Sequence, residues 1–560
     1  MPLITDTVHF LVLWPPGQTT PIESRSIAID TCSVPPYGDT MTTNDVEIAI
    51  IGAGFSGLGA AVRLKQNGFD DFVLLDRGRD FGGTWRDNTY PGAACDVPSQ
   101  LYSFSFAKNP TWSRSYSHQP EIHDYINGVA DKFDIPAKAR FGTEVTRTEW
   151  NEDEGRWIID TLRDGTTDQV RARVLVGGVG PLCEPNLPDI EGIESFEGKI
   201  VHSARWDNDH DFGGQRVAVI GTGASAIQLV PEVAKVAGRL DVYQRTAPWI
   251  VPRTERAYSS VEHWAYKNVP GYQSAVRGGI YAANEVVAFG LTYSPKSLKP
   301  VELLCRANIL RGIGRDAELR RKATPTFQVG CKRILRSNDW YPALARPNVD
   351  LVTDGIDRIT PTGIVAKDGT VREVDVIVVA TGFHVTDSPV FEKIIGKDGR
   401  SLAQVWSEIG MQGYKGSFVH GFPNMMLMVG PSTGLGHTSM VYMIESQLNY
   451  LVDYLKTSRA LGITRTEVKL AAQQEFNAGI QHKLRNSVWV NGGCASWYKD
   501  ANGNITTLWP GFTFAFRQAT RSFDVAAYDV TRGARRPVAP AVSAGSATGE
   551  DIDSPATANA

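Results

Sequence analysis

Val46-Glu47-Ile48-Ala49-Ile50-Ile51-Gly52-Ala53-Gly54-Phe55-Ser56-Gly57 decides the fold. The six leading residues read as a buried strand, and the glycines read as a tight turn into a helix. That helix runs from Ser56 to Gln66. The next strand is Phe72-Val73-Leu74-Leu75, ended by Asp76. Together they make a βαβ unit. In such a unit Gly52 permits the sharp turn, Gly54 lets a pyrophosphate approach the backbone, and Gly57 allows close helix–strand packing. Phosphates then meet free N–H groups at the helix amino terminus. An acid at the second strand's tip, here Asp76, suits a ribose with free hydroxyls. The alternative is that Asp76 caps a helix.

The pattern repeats. Arg216-Val217-Ala218-Val219-Ile220 leads into Gly221-Thr222-Gly223-Ala224-Ser225-Ala226. A helix follows from about Ala224 to Ala237, then a strand Leu240–Gln244. Where the first unit has Asp76, this one has Arg245, followed by Thr246. A guanidinium there suits a ribose carrying a 2′-phosphate; the plain alternative is a solvated surface arginine. The contrast assigns FAD to the first unit and NADPH to the second. The fold class is α/β, with two Rossmann-like dinucleotide-binding domains, one for FAD and one for NADP.

Residues 1–43 show no sustained helix or strand period and read as a disordered extension, with Met41 as the natural start. The FAD-binding domain takes 44–183, including strands at Trp157–Thr161 and Arg173–Gly177. A Pro-rich connector, Pro181 to Pro188, leads into the NADP-binding domain, 184–383, which holds a charged helical insertion at about 255–325. Val374 to Gly382 is a buried strand meeting a glycine turn. There the chain returns to the FAD-binding domain for 384–531. Residues 532–560 are Ala-, Pro-, Ser-, Gly- and Thr-rich. They bury too little apolar surface to fold and read as a disordered tail.

The chain has 560 residues, 42% hydrophobic and 21% charged, with a net charge of −4. That balance gives no case for nucleic acid or an anionic membrane as partner. No apolar run approaches the roughly 18 residues of a spanning helix. The first basic residue is Arg25, so a signal peptide's positive leading region is missing. Six cysteines (Cys32, Cys95, Cys183, Cys305, Cys331, Cys494) have no metal-type spacing and read as free thiols rather than a disulfide framework. The compartment reads as cytoplasmic. Oligomeric state is not legible.

Phe196-x-Gly198-x-x-x-His202-x-x-x-Trp206-Asp207 follows the connector. On its own it is a linker whose His202 and Trp206 pack a domain junction. It resembles the pattern of type I Baeyer–Villiger monooxygenases, FxGxxxHxxxW followed by Pro or Asp. Sulfur- and nitrogen-oxidising relatives end the pattern in Phe, Tyr or Pro, so Trp206 selects the Baeyer–Villiger branch. A second family pattern matches at Gly82-Gly83-Thr84-Trp85, Tyr90-Pro91-Gly92 and Asp96. The resemblance runs from about Val46 to Asp524. It implies bound FAD, with Thr84 and Trp85 at its site, and NADPH. It also implies O2 and a small-molecule ketone as reactants, an ester or lactone as product, and a C4a-peroxide of reduced flavin as oxidant.

Such an oxidant must stay anionic, and its ketone adduct gathers negative charge on oxygen. Both need a fixed cation, and a guanidinium suits the task. Cys331-Lys332-Arg333-Ile334 is by itself a surface dipeptide with neighbours. Its likeness to the family's Lys-Arg pair makes Arg333 the active-site arginine and Lys332 a contact of the NADPH 2′-phosphate. Asp96, otherwise an ordinary loop acid, matches the acid that holds that arginine. His202 takes a supporting role in conformation and NADPH handling. Trp497 matches a late tryptophan that packs over bound NADP, or else is a core aromatic. Gly434-Leu435-Gly436-His437 departs from the best-known cycloalkanone-oxidising members; His437 either lines the pocket or is structural. Three rivals stand beside this reading. A sulfur- or nitrogen-oxidising monooxygenase conflicts with Trp206. A disulfide reductase lacks its CxxC. A non-catalytic nucleotide-binding protein has no need of Asp96 with Arg333.

Overall fold

A computed structural model describes residues 43–500 and 502–533. Residues 1–42 of the amino-terminal extension, Met41 among them, and 534–560 of the tail lie outside the described residues; the extension and tail bounds of 43 and 532 are corrected, since Thr43 already starts a strand and Arg532 ends one paired to Ile463. Strand β1 (Thr43–Ile51), helix α1 (Phe55–Gln66) and strand β2 (Phe72–Leu75) form the first βαβ unit. β1 and β2 run parallel, with Ile48 opposite Phe72 and Ile51 opposite Leu75. Ile48, Ala49 and Ile50 are fully buried, as expected of a parallel strand covered on both faces. β3 (Ala139–Arg140) extends the sheet beside β2. On the other side β4 (Thr143–Asn151), β5 (Arg156–Arg163) and β6 (Thr166–Gly177) form an antiparallel meander. β6 then lies parallel to β1, bringing Gly177 opposite Ile51.

The meander is longer than the sequence pattern indicates, and β4 is absent from that pattern. Its outward faces are polar, so the apolar positions do not alternate strictly. A tight turn joins β5 to β6 through Asp164 (φ 49°) and Gly165 (φ 79°), the positive-φ pair that suits a two-residue hairpin. Beyond residue 383 the chain adds Ile394–Ile395 to β4 and Met425–Leu427 to the carboxyl end of β6.

The second sheet is parallel throughout. β7 (Lys199–His202), β8 (Arg216–Ile220) and β9 (Arg239–Tyr243) join strands Val349–Val352 and Val376–Val379. The order is Val349–Val352, β9, β8, Val376–Val379, β7. Helix Ala226–Val236 follows β8 and buries Ala226, Ile227, Leu229, Val230 and Val233 against this sheet's core. Both Rossmann-like folds therefore point the carboxyl ends of their central strands at a glycine loop, where such folds bind ligands. Between β9 and Val349 stand five α-helices: Ser260–Asn268, Tyr272–Thr292, Lys299–Ile313 and Ala317–Ala323 form the insertion, and the short Trp340–Leu344 follows it. Ser259 and Glu262 close the first of them with a capping box. No helix among the described residues is long and apolar enough to cross a membrane.

Candidate active site

The two glycine loops open onto one cleft of about 1880 Å³. Gly52 has φ +100°, and a Cβ on Gly57 would sit 1.7 Å from the Gly52 carbonyl oxygen. Both glycines are forced by the turn itself. Gly54 and Gly223 differ: a Cβ on Gly223 meets no atom within 4 Å, and one on Gly54 only the Gly83 Cα at 3.7 Å. The backbone there faces open cleft. Neither helix behind the loops has a capping side chain at its start. No side chain therefore competes with an anion at either helix start. These features fit two bound dinucleotides.

Asp76 is buried, and its carboxylate is heavily used. Its Oδ2 accepts from the Ala53 N–H (2.6 Å). Its Oδ1 accepts from the Gly78 N–H (2.6 Å) and the Arg86 guanidinium (2.9 Å). Thr84 and Trp85 begin the short helix Thr84–Asp87 and line the same cleft. Trp85 Nε1 donates to the Tyr102 hydroxyl at 2.9 Å.

Arg333 and Asp96 meet in a two-point fork. Arg333 Nε donates to Asp96 Oδ2 at 2.8 Å, and Nη2 donates to Oδ1 at 2.9 Å. A third bond runs from Nη1 to the Leu435 carbonyl at 3.3 Å. The side chains are 35% and 27% exposed, which leaves one edge of each open to the cleft. Burial opposes charge on Asp96, but Arg333 outweighs it and holds the carboxyl below its usual range. The Asp96 carboxylate in turn pushes the Arg333 guanidinium further up. The pair is a fixed cation–anion unit with the guanidinium oriented.

At the second loop Lys332 Nζ donates to Thr246 Oγ1 at 2.7 Å, and Thr222 Oγ1 donates to the Thr246 carbonyl at 3.0 Å. Burial, then the neighbouring Arg245, lowers the Lys332 pKa. Arg245 and Lys332 have no carboxylate partner among the described residues. Two cations converging without an anion suit a phosphate.

His202 ends β7 and is buried. Its Nδ1 accepts the Ala204 N–H at 3.0 Å. Burial lowers its pKa to about 4, with the Gly382 backbone partly offsetting, so the ring is neutral at pH 7. It packs edge-on against Phe383, 6.0 Å between centroids, where the strand Val376–Val379 leaves the second sheet. His202 is not among the residues that line the cleft. Trp206 stacks on Phe212 at 5.0 Å, and Lys199 pairs with Asp207. A Cβ on Gly198 would meet the Asp375 carbonyl at 2.4 Å.

The free-thiol reading of the cysteines is corrected for one pair: Cys331 and Cys494 form a disulfide. Their Cα atoms are 6.1 Å apart, an ordinary bridging distance, although 163 residues separate them. Linear spacing carried no trace of that proximity. Cys95, Cys183 and Cys305 are free thiols, and Cys32 lies outside the described residues. The bridge straps the turn holding Lys332 and Arg333 to the segment holding Trp497. Trp497 is 53% exposed and lines the cleft, which removes the core-aromatic alternative. His437 turns away from the cleft. Its side chain is 1% exposed, and Nε2 lies 3.2 Å from Glu285 on helix Tyr272–Thr292. Glu285 also accepts from the Thr513 N–H and hydroxyl, so His437 is a structural tie.

One contact had no motif to announce it. Gln228, on the helix behind the second loop, donates to the Ala94 carbonyl at 2.9 Å. Its Oε1 accepts from the Tyr90 hydroxyl (3.0 Å) and the Ala94 N–H (3.3 Å). The loop that ends in Asp96 is thereby clamped to the second nucleotide fold. A glutamine within the apolar run Ala226–Val230 was the available signal.

Comparison with known proteins agrees with this geometry. The flavin-binding monooxygenase-like family matches residues 45–262. A Baeyer–Villiger monooxygenase of Streptomyces coelicolor is 48% identical over 512 residues, covering 91% of this chain and 98% of that protein. The chain belongs to the Baeyer–Villiger monooxygenases. A second family member, from Pseudomonas aeruginosa, is 45% identical over 91% of this chain and 95% of its own. The cyclohexanone monooxygenase of Rhodococcus sp. Phi1, solved with NADP+, superimposes with a TM-score of 0.77 at 27% identity, over 88% of this chain and all of that one. A steroid monooxygenase bound to NADP gives 0.76 at 30% identity, over 88% and 100%. As a Baeyer–Villiger monooxygenase the chain is an FAD- and NADPH-dependent oxidoreductase.

Proposed function

We propose that this chain inserts one oxygen atom from O2 beside the carbonyl of a small apolar ketone, giving an ester or lactone. The observation that carries this is the Arg333–Asp96 fork, set in the cleft that both glycine loops share. FAD supplies the oxygen activation and NADPH the hydride. The first loop, with Gly52, Gly54 and Gly57, receives the FAD pyrophosphate. A carboxylate offers about four acceptor sites, and three are taken on Asp76, so one remains for a ribose hydroxyl. Gly221, Gly223 and Ser225 receive the NADPH pyrophosphate, and Arg245, Thr246 and Lys332 its 2′-phosphate. Trp497 covers the cofactor from the cleft mouth. His202, neutral and off the cleft, acts by holding the junction between the nucleotide folds.

Arg333 keeps its charge at any working pH and directs it into the cleft, where negative charge develops on oxygen. A preorganised donor of this kind is worth about 2.7–4 kcal/mol, or roughly 10²–10³ in rate. Asp96 fixes the guanidinium plane. Leu435, Met440 and Leu508 also line the cleft and give the substrate side an apolar wall.

The test is a panel of linear, aryl and cyclic ketones with NADPH and O2, beside a sulfide control. Products heavier by one oxygen atom are expected from at least one ketone class. Arg333→Ala should still let NADPH bleach the flavin but form no ester. Ester formation at the normal rate in that variant, or oxidation of sulfides alone by the wild type, refutes the reading.

A further inference from the structure

Helix Tyr272–Thr292 wears its amphipathicity inside out. Its two charged residues, Arg277 and Glu285, both point inward. Arg277 donates to the carbonyls of Gln100 and Leu101, and Glu285 holds His437 and Thr513. The outward face repeats at steps of three and four: Tyr272, Ala275, Gly279, Ala282, Val286, Phe289 and, one residue past the helix, Tyr293. All seven are exposed and none is charged. Val286 is 72% exposed, and Phe289 and Tyr293 are 49% exposed. A surface helix normally reverses this arrangement. A continuous seam at this spacing is what a partner helix packs into.

The seam also has a direction. Its first half is small (Ala275, Gly279, Ala282) and its second half is bulky (Val286, Phe289, Tyr293). Gly278 and Gly279 sit mid-helix at a cost of about 1 kcal/mol each. Cβ atoms on either would meet nothing within 4 Å, so no packing inside this chain requires them. An antiparallel second copy of the same helix supplies the reason. In one register Ala275 faces Tyr293, Gly279 faces Phe289 and Ala282 faces Val286. Each of these three layers sets a large side chain over a small one, and two-fold symmetry repeats each pair; Tyr272 lies beyond them at the seam's end. A parallel pair would set Phe289 on Phe289 and leave a gap at Gly279.

We propose that the outward face of helix Tyr272–Thr292 is a homodimer interface, formed with a second copy of this chain in that antiparallel register. The seam is about 30 Å long and roughly 10 Å wide, about 300 Å² on each helix. Tyr293 continues through Phe512 (5.9 Å) to Phe514, stacked at 5.2 Å and 55% exposed. In an antiparallel pair this aromatic shelf extends both ends of the seam. That carries it toward the roughly 600 Å² per partner of a small specific interface. The inner face of the same helix holds Glu285 and His437, two residues from Leu435, whose carbonyl receives Arg333. Pairing therefore buttresses the helix behind the active-site loop.

The full-length holoenzyme is sized by sedimentation velocity across the micromolar range, and a dimer is expected. Gly279→Glu should be monomeric with unchanged flavin content, because its side chain has open space within the chain and glutamate is the better helix former. Oxidative cross-linking then tests the register. Ala275→Cys mixed with Tyr293→Cys should give a covalent dimer, while neither variant alone should cross-link to itself. If Gly279→Glu loses its flavin, the cross-linking experiment decides alone. A wild type that stays monomeric, a dimer that Gly279→Glu leaves intact, or Ala275→Cys bridging to itself overturns the proposal. So does a wild-type monomer that binds anionic lipid vesicles through this face, which would assign the seam to a membrane surface.

Discussion

Arg333 and Asp96 stand 237 residues apart in the chain and share two hydrogen bonds of 2.8 and 2.9 Å. The bond geometry needs two acceptor oxygens and a planar donor. Asp96→Asn keeps the shape but removes the charge and one acceptor. Hydrogen bonds to charged groups contribute about 1.5–3 kcal/mol, so ester formation should fall roughly 10- to 100-fold. Arg333 holds the Asp96 carboxyl below its usual range, so the wild-type pair persists through mildly acidic pH. It is lost only as pH falls through that lowered value. Product yield per NADPH consumed, followed against pH, checks both points; an unchanged yield in Asp96→Asn would remove the acid from the mechanism.

Gln228 joins the second nucleotide fold to the loop bearing Asp96 through three hydrogen bonds. Gln228→Leu preserves bulk and strands the Tyr90 hydroxyl and the Ala94 backbone groups. Each such group left unsatisfied costs about 1–3 kcal/mol. The expected result is uncoupling: flavin reduction by NADPH continues, while a larger share of the reducing power ends as hydrogen peroxide. Peroxide measured beside ester separates this from simple loss of fold, which would lower both together.

Lys332 reaches the Thr246 hydroxyl close enough to Arg245 to feel its charge, and neither cation has a carboxylate partner among the described residues. If they hold the 2′-phosphate, Arg245→Ala should raise the KM for NADPH about 10- to 100-fold and leave the KM for NADH nearly unmoved. Lys332→Ala should act in the same direction. Equal losses with both nucleotides would place these cations elsewhere in the reaction.

Glycine loops, strand tips and the helical insertion were legible because their signals are local: an apolar run, a turn, a charge at a fixed offset. The Arg333–Asp96 pair was not local. Only likeness to a family pattern joined two segments that the chain keeps far apart. Gln228 and the Cys331–Cys494 bridge had no such pattern to lean on, and proximity across 163 residues leaves no mark on spacing. β4 escaped because its outward face is polar along most of its length. The insertion read as charged, yet the charges of helix Tyr272–Thr292 turn inward, an orientation that periodicity alone does not assign.

The Cys331–Cys494 bridge closes a loop of 163 residues in sequence separation. Loop-closure entropy places its contribution at up to about 5 kcal/mol, against a more usual 2–4 kcal/mol. Cys494→Ser, or treatment with a reductant, should lower the Tm and loosen the segment that carries Trp497. Thiol alkylation with and without reductant reads the bridge directly. A chain that alkylates fully at both positions without reductant has no bridge in solution.

His202 is held neutral, with a pKa lowered by burial to about 4 from an ordinary value near 6.5. The unfolded chain therefore binds a proton at this residue through a range of pH where the folded chain does not. Stability from a neutral His202 is fully present above about pH 6.5 and is lost as pH falls toward 4. The span corresponds to roughly 3 kcal/mol. His202→Gln has no such proton to bind, so its Tm should decline less steeply across that window than the wild type's. The ring Nδ1 also accepts the Ala204 N–H, which the glutamine carbonyl can replace only in part, so the variant should begin less stable at pH 7. Parallel Tm–pH curves for the two proteins would show that His202 does not titrate on unfolding and would take the neutral ring out of the account.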